Sequence, residues 1–138
     1  MRFLGGAEQA RSRIGRWPDN WQVAPFTDDG VATFLADLDV LIHHPHPRYV
    51  EECGRVVLEA MAAGLPVILP PVYRENFGEA AVYAEPPQVW ENVQELWCSE
   101  SRFLAQIETG YAFIEAHCTY EHGVQRISRL RLSHRPRS

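Results

Sequence analysis

The stretch LDVLIHHPHPRYVEECGRVVLEAMAAGLPVILPP, Leu38–Pro71, holds two short apolar runs on either side of a helical pattern. LDVLIHH and LPVILPP are continuous rather than alternating, as expected of parallel strands covered by helices on both faces. Between them a helix is predicted from about Gly54 to Ala63, stopped by Gly64 with Pro66 two residues further on. Strand, helix and strand in this order make one βα unit of a parallel sheet.

Working outward, further strands are predicted at Arg2–Leu4, Gln22–Ala24 and Ala81–Ala84, beside the central pair Asp39–His43 and Pro66–Leu69. Thr27 or Asp28 caps a helix running through Leu35. Beyond Pro86 and Pro87 the pattern is helical only. Val89, Val93 and Leu96 come first, followed by an amphipathic stripe of Phe103, Ile107, Tyr111, Ile114 and Cys118, read as core packing. The expected fold class is α/β, a Rossmann-like three-layer parallel sheet with helices on both faces and a helical C-terminal end. Its domain spans 1–118, apparently lacking a first strand and helix, and 119–138 form a C-terminal helix and basic tail.

With 138 residues, 46% hydrophobic and 22% charged, the chain suits one globular domain with a proper core. No apolar run approaches the ~18–20 residues of a membrane span, and the N-terminus lacks a secretory pattern, so a cytoplasmic location is expected. Three widely spaced cysteines, Cys53, Cys98 and Cys118, suit reduced thiols better than disulfides or zinc. The net charge of -5 conceals an asymmetry. All thirteen basic residues are arginines, and five of them, Arg126, Arg129, Arg131, Arg135 and Arg137, crowd a final segment without acids. The body is therefore strongly acidic, which excludes general nucleic-acid binding. The tail is either a solvated end or a surface for anionic lipid or a partner, so peripheral membrane contact stays open.

The predicted helix GRVVLEAMAAG is apolar or small on every side except at Arg55 and Glu59, so enclosure is expected. A buried carboxylate without partners costs several kcal/mol. Glu59 must therefore meet an internal arginine or a backbone amine, or else the hydroxyls of a ligand. The helix follows a loop leaving the carboxyl end of a strand, where parallel sheets bind ligands. Gly54 at the turn would let a ligand approach, and the free amides of Gly54, Arg55 and Val56 suit a diphosphate.

From Glu51 to Glu59, with Gly54 between, then EAMAAG, PV opening the next strand and DVLIHHP before, the chain resembles the E-x7-E motif of retaining GT-B glycosyltransferases of the family-four class. The resemblance is strong from Leu38 to Leu69 and looser through FGEAAVYAEP. It implies that the chain is the C-terminal, donor-binding half of such an enzyme, with a nucleotide sugar as substrate and no cofactor or bound metal. Glu51 would orient the donor sugar as the catalytic residue. Cys53 and Gly54 would lend backbone contacts, Arg55 and Val56 amides to the diphosphate, and Glu59 would bind the ribose. His44 or His46 would line the pocket, Pro25 and Phe26 would lie near the base, and Glu79 would be pocket-lining or structural. The donor would be a UDP- or GDP-sugar, the acceptor a hydroxyl held by a separate N-terminal domain. The family's Arg/Lys pair that clamps the diphosphate has no counterpart before Arg2, leaving Arg48, Arg55 and Arg74 as substitutes. Surfaces that the other half would shield are expected to be exposed and apolar, favouring self-association.

Other chemistries fit less well. His43 and His44 point to opposite faces of a strand and cannot easily share a metal ion. Cys53 lacks the partner base a thiol nucleophile needs. Gly5-Gly6 lacks the rest of a dinucleotide fingerprint, and no acidic cluster after the first strand suggests a response-regulator magnesium site. The alternative from another class is a non-catalytic nucleotide-binding or interaction module on a degraded glycosyltransferase fold.

Overall fold

The computed structural model describes residues 1–4, 7–25, 30–46 and 54–124. Its elements run β1 (Arg2–Leu4), α1 (Ala7–Ile14), β2 (Gln22–Ala24), α2 (Gly30–Ala36), β3 (Leu41–Ile42), α3 (Arg55–Ala62), β4 (Val67–Leu69), α4 (Arg74–Phe77), β5 (Val82–Tyr83), α5 (Val89–Trp97) and α6 (Glu100–His117). Residues 120–124 are again helical. The strands follow the predicted places, β1 and β2 to the residue, and all the pairings among them are parallel.

Among the described residues the strands form two sheets rather than one. β1 pairs with β2, and β3, β4 and β5 pair in that order. β4 is therefore the centre of its sheet, as expected, but β3 is at its edge. The apolar run of β3 does not mark a central position, and Ile42 is left exposed. Leu41 belongs to the core cluster on one face and Val40 packs with the cluster on the other, as alternate strand residues must.

The same alternation makes β4 the hub of the molecule. Val67 and Leu69 join Val57, Ala60 and Met61 of α3 in the larger cluster, while Ile68 joins Leu96 of α5 and Ala84 in the smaller. All three β4 residues are fully buried, each contributing about 2 kcal/mol of apolar transfer. Around this hub, α6 lies against α3, with Phe113 and Ile114 packed on the larger cluster.

The α6 stripe needs correction. Tyr111 and Cys118 are exposed, and the half-buried line runs instead through Phe103, Ile107, Phe113 and Ile114, with Gly110 fully buried. Gly110 faces Met61 of α3, so the inner face of the helix turns around a glycine that the hydrophobic pattern passes over.

The N-terminal pair has its own small centre. Phe3 of β1 packs against Trp17 and Trp21 with ring centroids 5.3 and 5.1 Å away, and Trp17 Nε1 donates to the Trp21 carbonyl. An ion pair between Arg2 and Asp37 ties this pair to the end of α2. The expected cap of α2 at Thr27 or Asp28 lies outside the described residues.

Candidate functional site

β3 leaves its sheet at the carboxyl end, and the chain returns through α3 to begin β4 at the opposite end. The N-terminus of α3 therefore lies at the side where βα-type sheets take ligands. Gly54 precedes the helix with φ 49° and ψ 50°, a left-handed conformation that a residue with a Cβ adopts only at a cost. The Gly54 carbonyl accepts from the amides of Val57 at 2.7 Å and Leu58 at 3.1 Å. Among the described residues, no acceptor meets the amides of Arg55 and Val56.

Packing gives a second reason for glycine at this position. The residue is buried, and a methyl group placed on it would lie 3.2 Å from Phe77 Cζ and 3.3 Å from Val57 Cγ2. Glycine is favoured here by its left-handed φ and by the Phe77 ring of α4. Sequence reasoning missed Phe77, whose only signal was an aromatic residue soon after the central strand.

The expected enclosure of α3 is corrected too. Its buried stripe is Val57, Ala60 and Met61, while Ala62 and Ala63 face outward. Alanines fill an apolar pattern without needing burial, so the pattern overstated the cover. The Glu59 side chain keeps 35% of its exposure and accepts from Arg55 Nε at 2.8 Å. Its partner is thus an arginine one turn earlier on the same helix, a spacing of four already visible in the sequence. Because the Arg55 side chain is 86% exposed, the pair is a surface one, of a kind that contributes about 0.3–0.5 kcal/mol.

His44 follows β3 at the same carboxyl end. Its Nε2 is enclosed and has no hydrogen-bond partner among the described residues. Burial holds its pKa below the ordinary value; the Glu85 carboxylate after β5 opposes the shift and His43 adds to it. Because β3, β4 and β5 are parallel, His44 and Glu85 leave the sheet at the same end. His46 and Pro25 are exposed. Arg74 lies over the Tyr83 ring at 4.4 Å, beside Glu79, so stacking already occupies one of the arginines expected to serve as a clamp. Glu51, Cys53, Phe26 and Arg48 lie outside the described residues.

A groove of about 700 Å³ runs between α3, α4 and α6, lined by Leu58, Phe77, Phe113, Thr109, Glu79 and His117 among others. None of Gly54, Arg55, Val56, Glu59, His44 and His46 lines it. Glu79, the residue left between a pocket and a structural role, is at this groove, and its carbonyl accepts from Gln106 of α6.

Over residues 1–98 the sequence matches the family described as Glycosyl transferases group 1. The chain belongs to that family. The match takes in both sheets, α3 and the run to the end of α5, and leaves α6 beyond it. No curated protein and no solved structure matches this glycosyltransferase domain. No helix among its described residues is long and apolar enough to cross a membrane.

Proposed function

We propose that this glycosyltransferase domain is the donor-binding part of a retaining enzyme with a GT-B fold. It takes a UDP- or GDP-linked hexose, and the complete enzyme passes the hexosyl group to a hydroxyl held by a separate acceptor-binding half. One coincidence carries the reading. In a chain of the glycosyltransferase family, the second of two glutamates eight apart sits one turn inside a helix that begins at the carboxyl end of a parallel sheet.

In this reading the first-turn amides of α3, at the positive end of the helix dipole, hold the diphosphate. Glu59 accepts hydrogen bonds from the ribose hydroxyls, and its side chain, about one third exposed, is reachable from solvent. Glu51 orients the donor sugar, with Cys53 lending a backbone contact beside it. As the sugar–oxygen bond breaks, negative charge builds on the departing diphosphate, and oriented amides stabilise it without reorganising. His44, His46 and Pro25 belong to the wider rim of the pocket.

Thermal unfolding with and without UDP and GDP tests this. One of the two nucleotides at millimolar concentration is expected to raise the Tm of the wild type, as any ligand of the folded state must, and Glu59→Ala to abolish the rise. If neither nucleotide moves the Tm, the donor-site reading fails and the non-catalytic interaction module takes its place.

A further inference from the structure

The floor of the groove between α3, α4 and α6 is Leu58, Phe77 and Phe113, and its wall on α6 is Thr109, Ala112 and Ala116. The three wall residues follow helical spacing, and their small side chains leave a channel open instead of filling it. The rim is acidic. Glu75 of α4 and Glu79 just after it line the groove and are both exposed, while among the described residues no arginine lines it. Arg74 approaches Glu79 only to 4.0 Å, lies over the Tyr83 ring and leaves the Glu79 side chain 90% exposed. An apolar trough with an acidic lip suits an apolar segment that carries arginines, whose stems cover apolar surface while their charged heads reach the rim.

The chain carries such a segment beside the mouth of the groove. α6 ends at His117, and His117 and Cys118 line the groove. The backbone bends at Cys118 and Thr119 before the helical residues 120–124. Residues 125–138, outside the described part of the chain, hold five arginines and no acid, and all eighteen acids of the protein precede them. Among those arginines stand Ile127, Leu130 and Leu132, side chains that gain by leaving water. Length is sufficient. From Thr109 to Cys118 the groove follows α6 for about 14 Å, and the segment 125–138 would span about 20 Å even if wound as a helix, and more if extended.

We propose that residues 125–138 turn back and occupy this groove, with Ile127 and Leu130 on the phenylalanine floor and arginines of the segment paired with Glu75 and Glu79. Attachment through the few residues after His117 favours this occupant over a second copy or a separate protein, because a short tether holds the segment at an effective concentration on the order of millimolar. The inference does not depend on the donor-site reading, since Gly54, Arg55, Val56 and Glu59 do not line the groove.

Maleimide labelling of the full chain under native conditions, with the cysteines resolved by peptide mass, tests this, because Cys118 lines the groove and the exposed Cys98 does not. Docking of the segment shields Cys118. Its labelling rate is expected to rise about tenfold or more when Ile127→Asp and Leu130→Asp are combined, the scale of one aliphatic side chain returned to water, while Cys98 keeps its rate. Glu75→Arg with Glu79→Arg should also speed the labelling of Cys118, and adding Arg126→Glu and Arg129→Glu to that pair should slow it again, a rescue that a merely structural role of either cluster would not produce. If Cys118 labels at the same rate in wild type and in the Ile127→Asp, Leu130→Asp variant, the segment does not cover the groove and the proposal fails. A wild-type Cys118 rate that falls as the protein concentration rises would place the segment of a second copy in the groove and overturn the intramolecular closure.

Discussion

The two ends of α3 are both marked by a left-handed glycine, Gly54 at φ 49° and Gly64 at φ 78°, yet they are finished differently. At the C-terminal end, Gly64 N donates to Met61 O and Leu65 N to Ala60 O, both at 3.0 Å. These two bonds are the Schellman closure, which satisfies the last carbonyls of a helix. At the N-terminal end the Gly54 carbonyl begins the helical bonds, but Gly54 has no side chain with which to cap the first turn, and the first residue is a cation. Among the described residues, the chain closes one end by itself and leaves the other with donors to spare. A fold needs the first kind of end. The second kind gains from a ligand bringing negative charge.

The contrast breaks most visibly at Gly64. Gly64→Val forces a β-branched residue to φ 78°, with its Cβ 2.5 Å from the Tyr111 hydroxyl unless that exposed ring swings away. A loss of about 2 kcal/mol is expected, the range of a strained left-handed residue, readable as a lower urea midpoint. The Tm rise on adding UDP or GDP should persist. Loss of that rise along with the stability would mean that the two ends are not independent.

Gly54→Ala sharpens the comparison from the other side. Its φ of 49° makes a Cβ unfavourable, and the contact with Phe77 Cζ at 3.2 Å requires the ring to yield by a few tenths of an ångström. About 1 kcal/mol of destabilisation is expected, less than at Gly64. Here the nucleotide response should shrink as well, because the amides of Arg55 and Val56 are aimed by that left-handed turn. A stability loss with an undiminished nucleotide response would remove the α3 N-terminus from the site.

What the sequence disclosed, and what it hid, follows from the same physics. β4 was legible because three fully buried residues in a row leave a continuous apolar word, and the stop at Gly64-Leu65-Pro66 because left-handed glycine and proline punctuate a chain locally. The edge position of β3 was not legible, since its run is as apolar as that of β4 although Ile42 is left exposed. Nor was the division into two sheets, which depends on pairing between segments far apart in sequence. At the site, the E-x7-E spacing located α3 and the family comparison agrees on glycosyl transfer. The Arg55–Glu59 pair was readable from its spacing, but the alanines disguised how exposed it is. Phe77 filling the space beside Gly54 is a tertiary contact that no local pattern announces.

A smaller effect is expected at the end of β3. Burial lowers the pKa of His44 from its ordinary 6.5, against the opposing pull of Glu85. The folded state therefore favours the neutral ring. Stability from this group is fully present above about pH 6.5 and is lost as the pH falls from there through the lowered folded value, because the unfolded chain takes up the proton first. Between about pH 7.5 and 5.5 the Tm should fall, and His44→Gln should flatten that part of the profile. An unchanged slope in the variant would show that Nε2 of His44 is as well solvated in the fold as out of it.

The smallest change is expected where the helix ends differ most in logic. Arg55→Ala, measured without nucleotide, removes an exposed ion pair but also removes a cation from the positive end of α3. The first loss is about 0.3–0.5 kcal/mol and the second a gain of about 0.3–1 kcal/mol, so stability read from the urea midpoint should change by less than about 0.7 kcal/mol, with either sign allowed. Raising the salt concentration should shrink even that difference, since both terms lie at the surface and are screened together. A drop of about 2 kcal/mol would instead make Arg55 a structural cap, the counterpart of Gly64, and the unfinished end of α3 would turn out to be closed by its own chain after all.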